Sequence, residues 1–213
     1  MTSRSESDPG REVTDQRRDQ MLAAAAALIA ERGFSETRIV DVARRVGASP
    51  ALVIYYFGTK DSLLTEALRY SEESFYQRCA EMLAEAATVR ERLEKLVRMT
   101  CEPEEPDGSP STWGLWFDLW AQAFRHPGVA EDRVQLERRW RNTIAQVVRE
   151  GVAHGEIEPV DADDFAVTFG VVLDGLSIQV ALRDEMVTAD HAFRLAMEIA
   201  ERSLGLPQPS STS

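Results

Sequence analysis

From Thr14 to Leu204 the apolar residues recur three and four positions apart, and no stretch alternates apolar with polar like a half-buried strand. That period confines the chain to an all-α fold. A first helix is predicted over Thr14 to Arg32, with Met21, Leu22, Ala25, Leu28 and Ile29 on one buried stripe and Gly33 as its stop. A short second helix, Arg38 to Val46, turns Ile39, Val42, Ala43 and Val46 inward, with Thr37 as its cap and Gly47 as its end. Ser49-Pro50 places a capping hydroxyl before a proline at the first helical position, and Gly58 limits the third helix, Pro50 to Phe57, to two turns. A long fourth helix runs from Asp61 to about Ala87, and Thr88 and Glu91 form a capping box that opens a fifth over 89–101. An acidic Pro/Gly loop fills 102–111, and helices follow at 112–125, 129–153, 162–184 and 189–204, with Asp161 and Thr188 as caps for the last two.

About nine helices result, in four stretches. Residues 1–12 and 206–213 are polar tails with little to bury, 13–60 form a small three-helix domain, and 61–205 form a larger helical body. No apolar run reaches the roughly 18 residues of a membrane-spanning helix, and the first ten residues lack the apolar segment of a secretory signal. No membrane partner is expected. The two cysteines, Cys79 and Cys101, exclude a disulfide scaffold and read as buried thiols in a reducing cytoplasm. The net charge of −12 is uneven. Residues 1–60 hold nine Lys or Arg against eight Asp or Glu, whereas 61–213 hold 15 against 28. An acidic body thus carries a near-neutral N-terminal piece, and binding of a polyanion depends on its local face.

Helices two and three are the informative part. Two short helices joined by Gly47-Ala48-Ser49 have the layout of a helix-turn-helix, whose second helix enters the DNA major groove. Val53 and Phe57 fall inward, leaving Pro50, Ala51, Ile54 and Tyr55 outward. Thr37 and Arg38 sit at a helix start, where free N–H groups favour an anion. Arg44, Arg45, Tyr55, Tyr56 and Lys60 could hold further phosphates. On pattern alone, Tyr55-Tyr56-Phe57 could equally be core.

The run from Thr37 to Leu64, TRIVDVARRVGASPALVIYYFGTKDSLL, resembles the N-terminal signature of tetracycline-repressor (TetR) family regulators, as does the preceding ALIAERGF. The second half, through Trp116-Phe117-Asp118-Leu119-Trp120 and Leu173-Asp174-Gly175-Leu176, is more loosely similar to the choline-responsive BetI-like subgroup. The resemblance implies a homodimer that binds a near-palindromic double-stranded DNA operator and is released by a small molecule. By position it implies phosphate contacts from Thr37, Tyr55, Tyr56 and Lys60, with Arg38 and Arg44 as looser assignments. Ser49 opens the recognition helix, and Pro50, Ala51, Leu52 and Ile54 match its base-reading face. Val40 and Ile54 depart from the family, which often has a polar residue and a tyrosine there. The face is therefore mostly apolar, so thymine methyls and DNA shape would supply specificity.

In the body, Trp113, Trp116, Phe117, Trp120 and Phe124 recur at helical spacing with Asp118 among them. They are either a packed core or one wall of an effector cavity, with Phe169 opposite. The acidic body would suit a cationic or amphipathic effector. The last two helices are apolar on more than one face, so they are either the centre of the body or half of a two-fold four-helix interface; the second is favoured, with Phe165, Val172, Leu176, Phe193, Ala196 and Ile199 predicted there. No catalytic residue, metal site or cofactor is predicted. Glu150 and His154 are four apart and read as a surface pair. Two rival classes remain: a helical small-molecule-binding module that does not touch DNA, and an all-helical metal-dependent enzyme.

Overall fold

The computed structural model describes residues 9–102, 113–124 and 127–206. Among them are nine helices and no strand: α1 (Pro9–Arg32), α2 (Ile39–Arg45), α3 (Pro50–Phe57), α4 (Lys60–Ala84), α5 (Val89–Cys101), α6 (Trp113–Ala123), α7 (Pro127–Ala153), α8 (Ala162–Ala181) and α9 (Ala189–Leu204). The fold is all-α, as the period requires.

Helix ends differ from expectation where a local bond decides. α1 starts at Pro9, so residues 9–12 are helical and not tail; a proline's missing N–H costs nothing in a first turn. Thr37 does not cap α2. Its side chain is fully buried and Oγ1 donates to the Gly33 carbonyl at 2.9 Å, which leaves Arg38 as an N-cap without a side-chain bond. At α5 the cap forms but the box is displaced by one residue: Thr88 Oγ1 accepts from the Glu91 N–H (3.2 Å), and the Glu91 carboxylate accepts from the Ala87 N–H (2.7 Å) and not from that of Thr88. Asp161 and Thr188 cap α8 and α9 as expected. α8 ends early, at Ala181, because Arg183 turns left-handed (φ 58°) and its N–H donates to Val180 O at 2.9 Å. The loop expected over 102–111 and the C-terminal tail lie outside the described residues, save Glu102 and Leu206. Leu206 is buried, with its N–H on Glu201 O at 3.1 Å.

The chain divides into two compact units. One comprises Met1–Phe75 and Pro110–Arg125, the other Tyr76–Ser109 and His126–Ser213. α4 contributes to both, and α6 belongs to the first. In the first unit, Met21, Leu28 and Ile29 of α1 meet Val42 of α2, Val53 and Phe57 of α3, Leu63 and Leu64 of α4, and Leu115 of α6. Gly114 lets α6 approach α1 closely, since a Cβ there would lie 2.6 Å from the Ala30 carbonyl oxygen.

The second unit packs α5, α7, α8 and α9 around Leu93, Leu96, Ile144, Val148, Phe169, Leu173, Ala196 and Ala200. Phe165 and Phe169 stack with centroids 5.1 Å apart. α8 alone among the described helices has the length and hydropathy to cross a membrane. Its apolarity has another use here, because eight of its residues are buried in this unit. Cys79 and Cys101 lie in the same core, and burial pushes each thiol up to about 11.

Candidate nucleic-acid interface

Three turns of chain shape the two-helix motif. Gly47 adopts φ 62°, which only glycine tolerates cheaply, and Ala48 N–H bonds back to Ala43 O at 2.8 Å. Ser49 Oγ then accepts from the Leu52 N–H at 3.2 Å with Pro50 in the first turn, fixing where α3 begins. Gly58 (φ 74°) closes α3, and its N–H donates to Ile54 O at 2.7 Å.

With both ends fixed, the faces follow. Val53 and Phe57 are buried, while Pro50, Ala51, Ile54 and Tyr55 are exposed and Leu52 and Tyr56 half-buried. Ile54 is 48% and Tyr55 81% exposed, on a helix of eight residues. So much apolar surface on so short a helix makes it a candidate contact face. The Tyr55 and Tyr56 rings meet edge to face at 5.6 Å, and the Arg18 guanidinium sits 5.3 Å from the Phe57 ring centre. Both contacts stiffen the far end of α3.

The basic groups divide by occupation. Arg45 pairs with Glu31 (2.7 Å) and Arg44 with Asp41 (3.1 Å), although the Arg44 side chain stays 77% exposed. Arg38 is exposed and makes no ion pair among the described residues. Lys60 Nζ donates to the Ser35 carbonyl at 2.8 Å, and Arg18 pairs with Glu66. Thr37, with its hydroxyl inside, can offer an anion only its backbone N–H. Arg17 was missed in the sequence. It reaches the Gly47 carbonyl at 3.4 Å, and its place four residues before Met21 on the buried stripe was the signal.

The aromatic positions divide between the two units. Trp113, Trp116, Phe117 and Trp120 are half-buried on α6, in the first unit, with Trp113–Phe117 and Phe117–Trp120 centroids 5.8 and 5.9 Å apart and Phe75 edge-on to Trp116 at 6.2 Å. Phe124, beyond the helix, is 95% exposed. Asp118 turns to α1, accepting the Phe34 N–H at 2.6 Å. Phe169, expected opposite the stripe, is instead fully buried in the core of the second unit. That unit has its own groove of about 600 Å³ beside Tyr76, Cys79, Arg92, Arg139, Gln146 and Glu150, which sequence reasoning missed. Arg139 lies 4.0 Å over the Tyr76 ring. Gln146 and Arg92 both bond Glu150, and the Gln146 hydrogen bond is the first cause holding that carboxyl low.

The residues expected at a two-fold interface divide by burial. Phe165 and Ala196 face the interior, and Val172, Leu176, Phe193 and Ile199 are half-buried. Phe193 lies under the Arg98 guanidinium at 4.2 Å. The apolar side chains that α8 and its following turn leave outside are Val167, Val171, Leu182 and Met186.

Residues 21–67 match the bacterial regulatory proteins of the tetR family, and residues 89–205 match the C-terminal family of BetI-type transcriptional repressors. The HTH-type transcriptional regulator BetI of Rhizobium meliloti (strain 1021) is 26% identical over 189 residues, covering 88% of this chain and 89% of that protein. BetI of Agrobacterium fabrum is 29% identical over 168 residues, 78% of each chain. A transcriptional regulator from Saccharomonospora viridis, solved in complex with choline, superposes with a TM-score of 0.78 at 31% identity, over 89% of this chain and 98% of that one. The outward α3 and its fixed turn are thus set in a chain similar to such proteins along nearly its whole length, and the chain belongs to the TetR family of transcriptional regulators, with a C-terminal region of the BetI repressor type.

Proposed function

We propose that this regulator is a cytoplasmic homodimeric repressor without catalytic activity, which places two copies of α3 in successive major grooves of a near-palindromic operator. The observation that carries the reading is the eight-residue helix whose outer face is Pro50, Ala51, Ile54 and Tyr55. Leu52 and Ile54 would meet thymine methyls. Tyr55, Tyr56, Arg38, Arg44 and the backbone N–H groups at the start of α2 would hold phosphates on either side. The near-neutral head and strongly acidic body imply modest non-specific affinity that falls with salt.

The effector we infer is a small organic cation of the choline kind. The relative solved with choline supports it, as do the four aromatic rings on α6, whose faces attract a quaternary ammonium. The acidic groove residue Glu150 is already taken up by Arg92 and Gln146, which favours the rings. Effector and operator would then favour different conformers, and a coupling of about 1–3 kcal/mol suffices to switch occupancy. α4 is suited to transmit it, since Lys60 at its start bonds the Ser35 carbonyl and its last turns belong to the second unit.

The test is fluorescence anisotropy on duplex DNA selected by the protein from a random library. Tyr55→Ala removes an exposed side chain without touching the core, so the fold should be unaffected and affinity should fall about tenfold, the loss of roughly one good contact. Unchanged affinity would remove α3 from the DNA face. Failure of the native protein to select any duplex would remove the function.

A further inference from the structure

The segment between α1 and α2 sets where the helix-turn-helix sits, and it is tied down at three atoms. The Gly33 carbonyl accepts from Thr37 Oγ1 (2.9 Å), the Ser35 carbonyl accepts from Lys60 Nζ (2.8 Å), and the Phe34 N–H donates to Asp118 Oδ2 (2.6 Å). The third tie is unlike the others, because it comes from 84 residues away and from the aromatic helix. Gly33 N–H closes α1 on Ile29 O at 2.8 Å, so the next N–H has left the helix, and the carboxylate is its partner. The space is matched to it. Gly33 adopts φ 87°, and a Cβ there would stand 3.1 Å from Asp118 Oδ2. One turn earlier on α6, Gly114 has no room for a side chain against the Ala30 carbonyl. α6 is therefore pinned at two successive turns to the end of α1 from which the helix-turn-helix departs.

We propose that Asp118 is a positioning residue for operator binding: it makes α6 part of the DNA-reading unit, so that whatever displaces the aromatic face of α6 re-aims α3. The inference rests on the reading of α3 as the DNA helix. A bond from an ionised acceptor is among the stronger single hydrogen bonds, and it acts on a backbone atom, so motion of α6 reaches the turn without passing through a flexible side chain on the α1 side. Coupling is reciprocal: duplex bound at α3 must alter the surroundings of α6.

Tryptophan emission reads this directly. Three of the four tryptophans, Trp113, Trp116 and Trp120, lie on α6, and Trp140→Phe leaves those alone. In that background, saturating duplex should shift the emission. Asp118→Ala should bind the selected duplex about tenfold more weakly and lose the shift even at saturation, with exchange protection of the Phe34 amide lost. Asp118→Asn, whose amide oxygen can still accept from Phe34, should restore most of the shift. If Asp118→Ala keeps native affinity, or binds weakly but shifts as before, Asp118 is only a local cap and the proposal is overturned. The same follows if the unmutated background binds duplex with no change in emission. A protein that selects no duplex at all would instead refute the reading of α3.

Discussion

Asp174 shows how one half-buried group can act against the fold. It lies on α8, and burial raises its carboxyl above the ordinary 3.8, with Arg141 and Arg133 of α7 pulling the other way. A folded-state carboxyl that holds its proton more tightly than the unfolded one favours folding at low pH. That contribution is complete below the unfolded value and fades as pH rises through the raised one. Asp174→Asn should therefore gain stability relative to the native protein as pH rises above the ordinary carboxyl value of 3.8, following the titration of this carboxyl. Urea unfolding at several pH values checks it, and a constant difference across the range would show that the arginines compensate in full. At this scale the sequence was informative only where a residue acts on its neighbours. Ser49, Thr88, Asp161 and Thr188 cap as read, because a cap is a contact three residues long. Thr37 was misread because its partner, the Gly33 carbonyl, became available only when Gly33 took a left-handed conformation.

Among the elements, α8 illustrates what helical period can and cannot decide. Its start and its buried status follow from sequence, but nearly every face is apolar, so the period does not say which face packs within the chain. Phe165 and Val167, two residues apart, point to opposite sides, and the aromatic one turned inward. α6 posed the same difficulty: nothing local ties Asp118 to Phe34, and only the folded chain reveals which unit the helix joins. α3 was legible because Gly47, Ser49-Pro50 and Gly58 bracket it and only Val53 and Phe57 fit the inward spacing. The end of α8 gives an element-scale expectation. Arg183 sits at φ 58°, where a side chain costs about 1–2 kcal/mol, while glycine's added unfolded freedom costs about 0.5–1. Arg183→Gly should thus stabilise the protein by about 0.5–1 kcal/mol in denaturant unfolding; destabilisation would mean the Arg183 side chain makes a compensating contact.

For the molecule as a whole, the proposed dimer needs a surface through which two copies meet. Val171 (62% exposed) and Leu182 (67%) leave an apolar stripe on α8 and just beyond it, in the unit opposite in sequence to the DNA-reading helices. If that stripe joins the copies, Val171→Asp should weaken the dimer at least tenfold in analytical ultracentrifugation, since it buries an unpaired charge, while the circular dichroism of the separated chains stays helical. A dimer of undiminished strength would place the interface elsewhere. The two native thiols open a way to measure the dimer's geometry. Cys79 and Cys101 are 1% and 2% exposed, and their thiolates form only near pH 11, so maleimide- or methanethiosulfonate-linked reporters at neutral pH will pass them by. A spin label on Ala23→Cys, exposed on α1 and outside the outer face of α3, would therefore stand alone in each copy. Pulsed dipolar spectroscopy on the otherwise unaltered protein could then follow how the gap between the two DNA-reading units changes as duplex, whose successive major grooves lie roughly 34–36 Å apart, or choline is added.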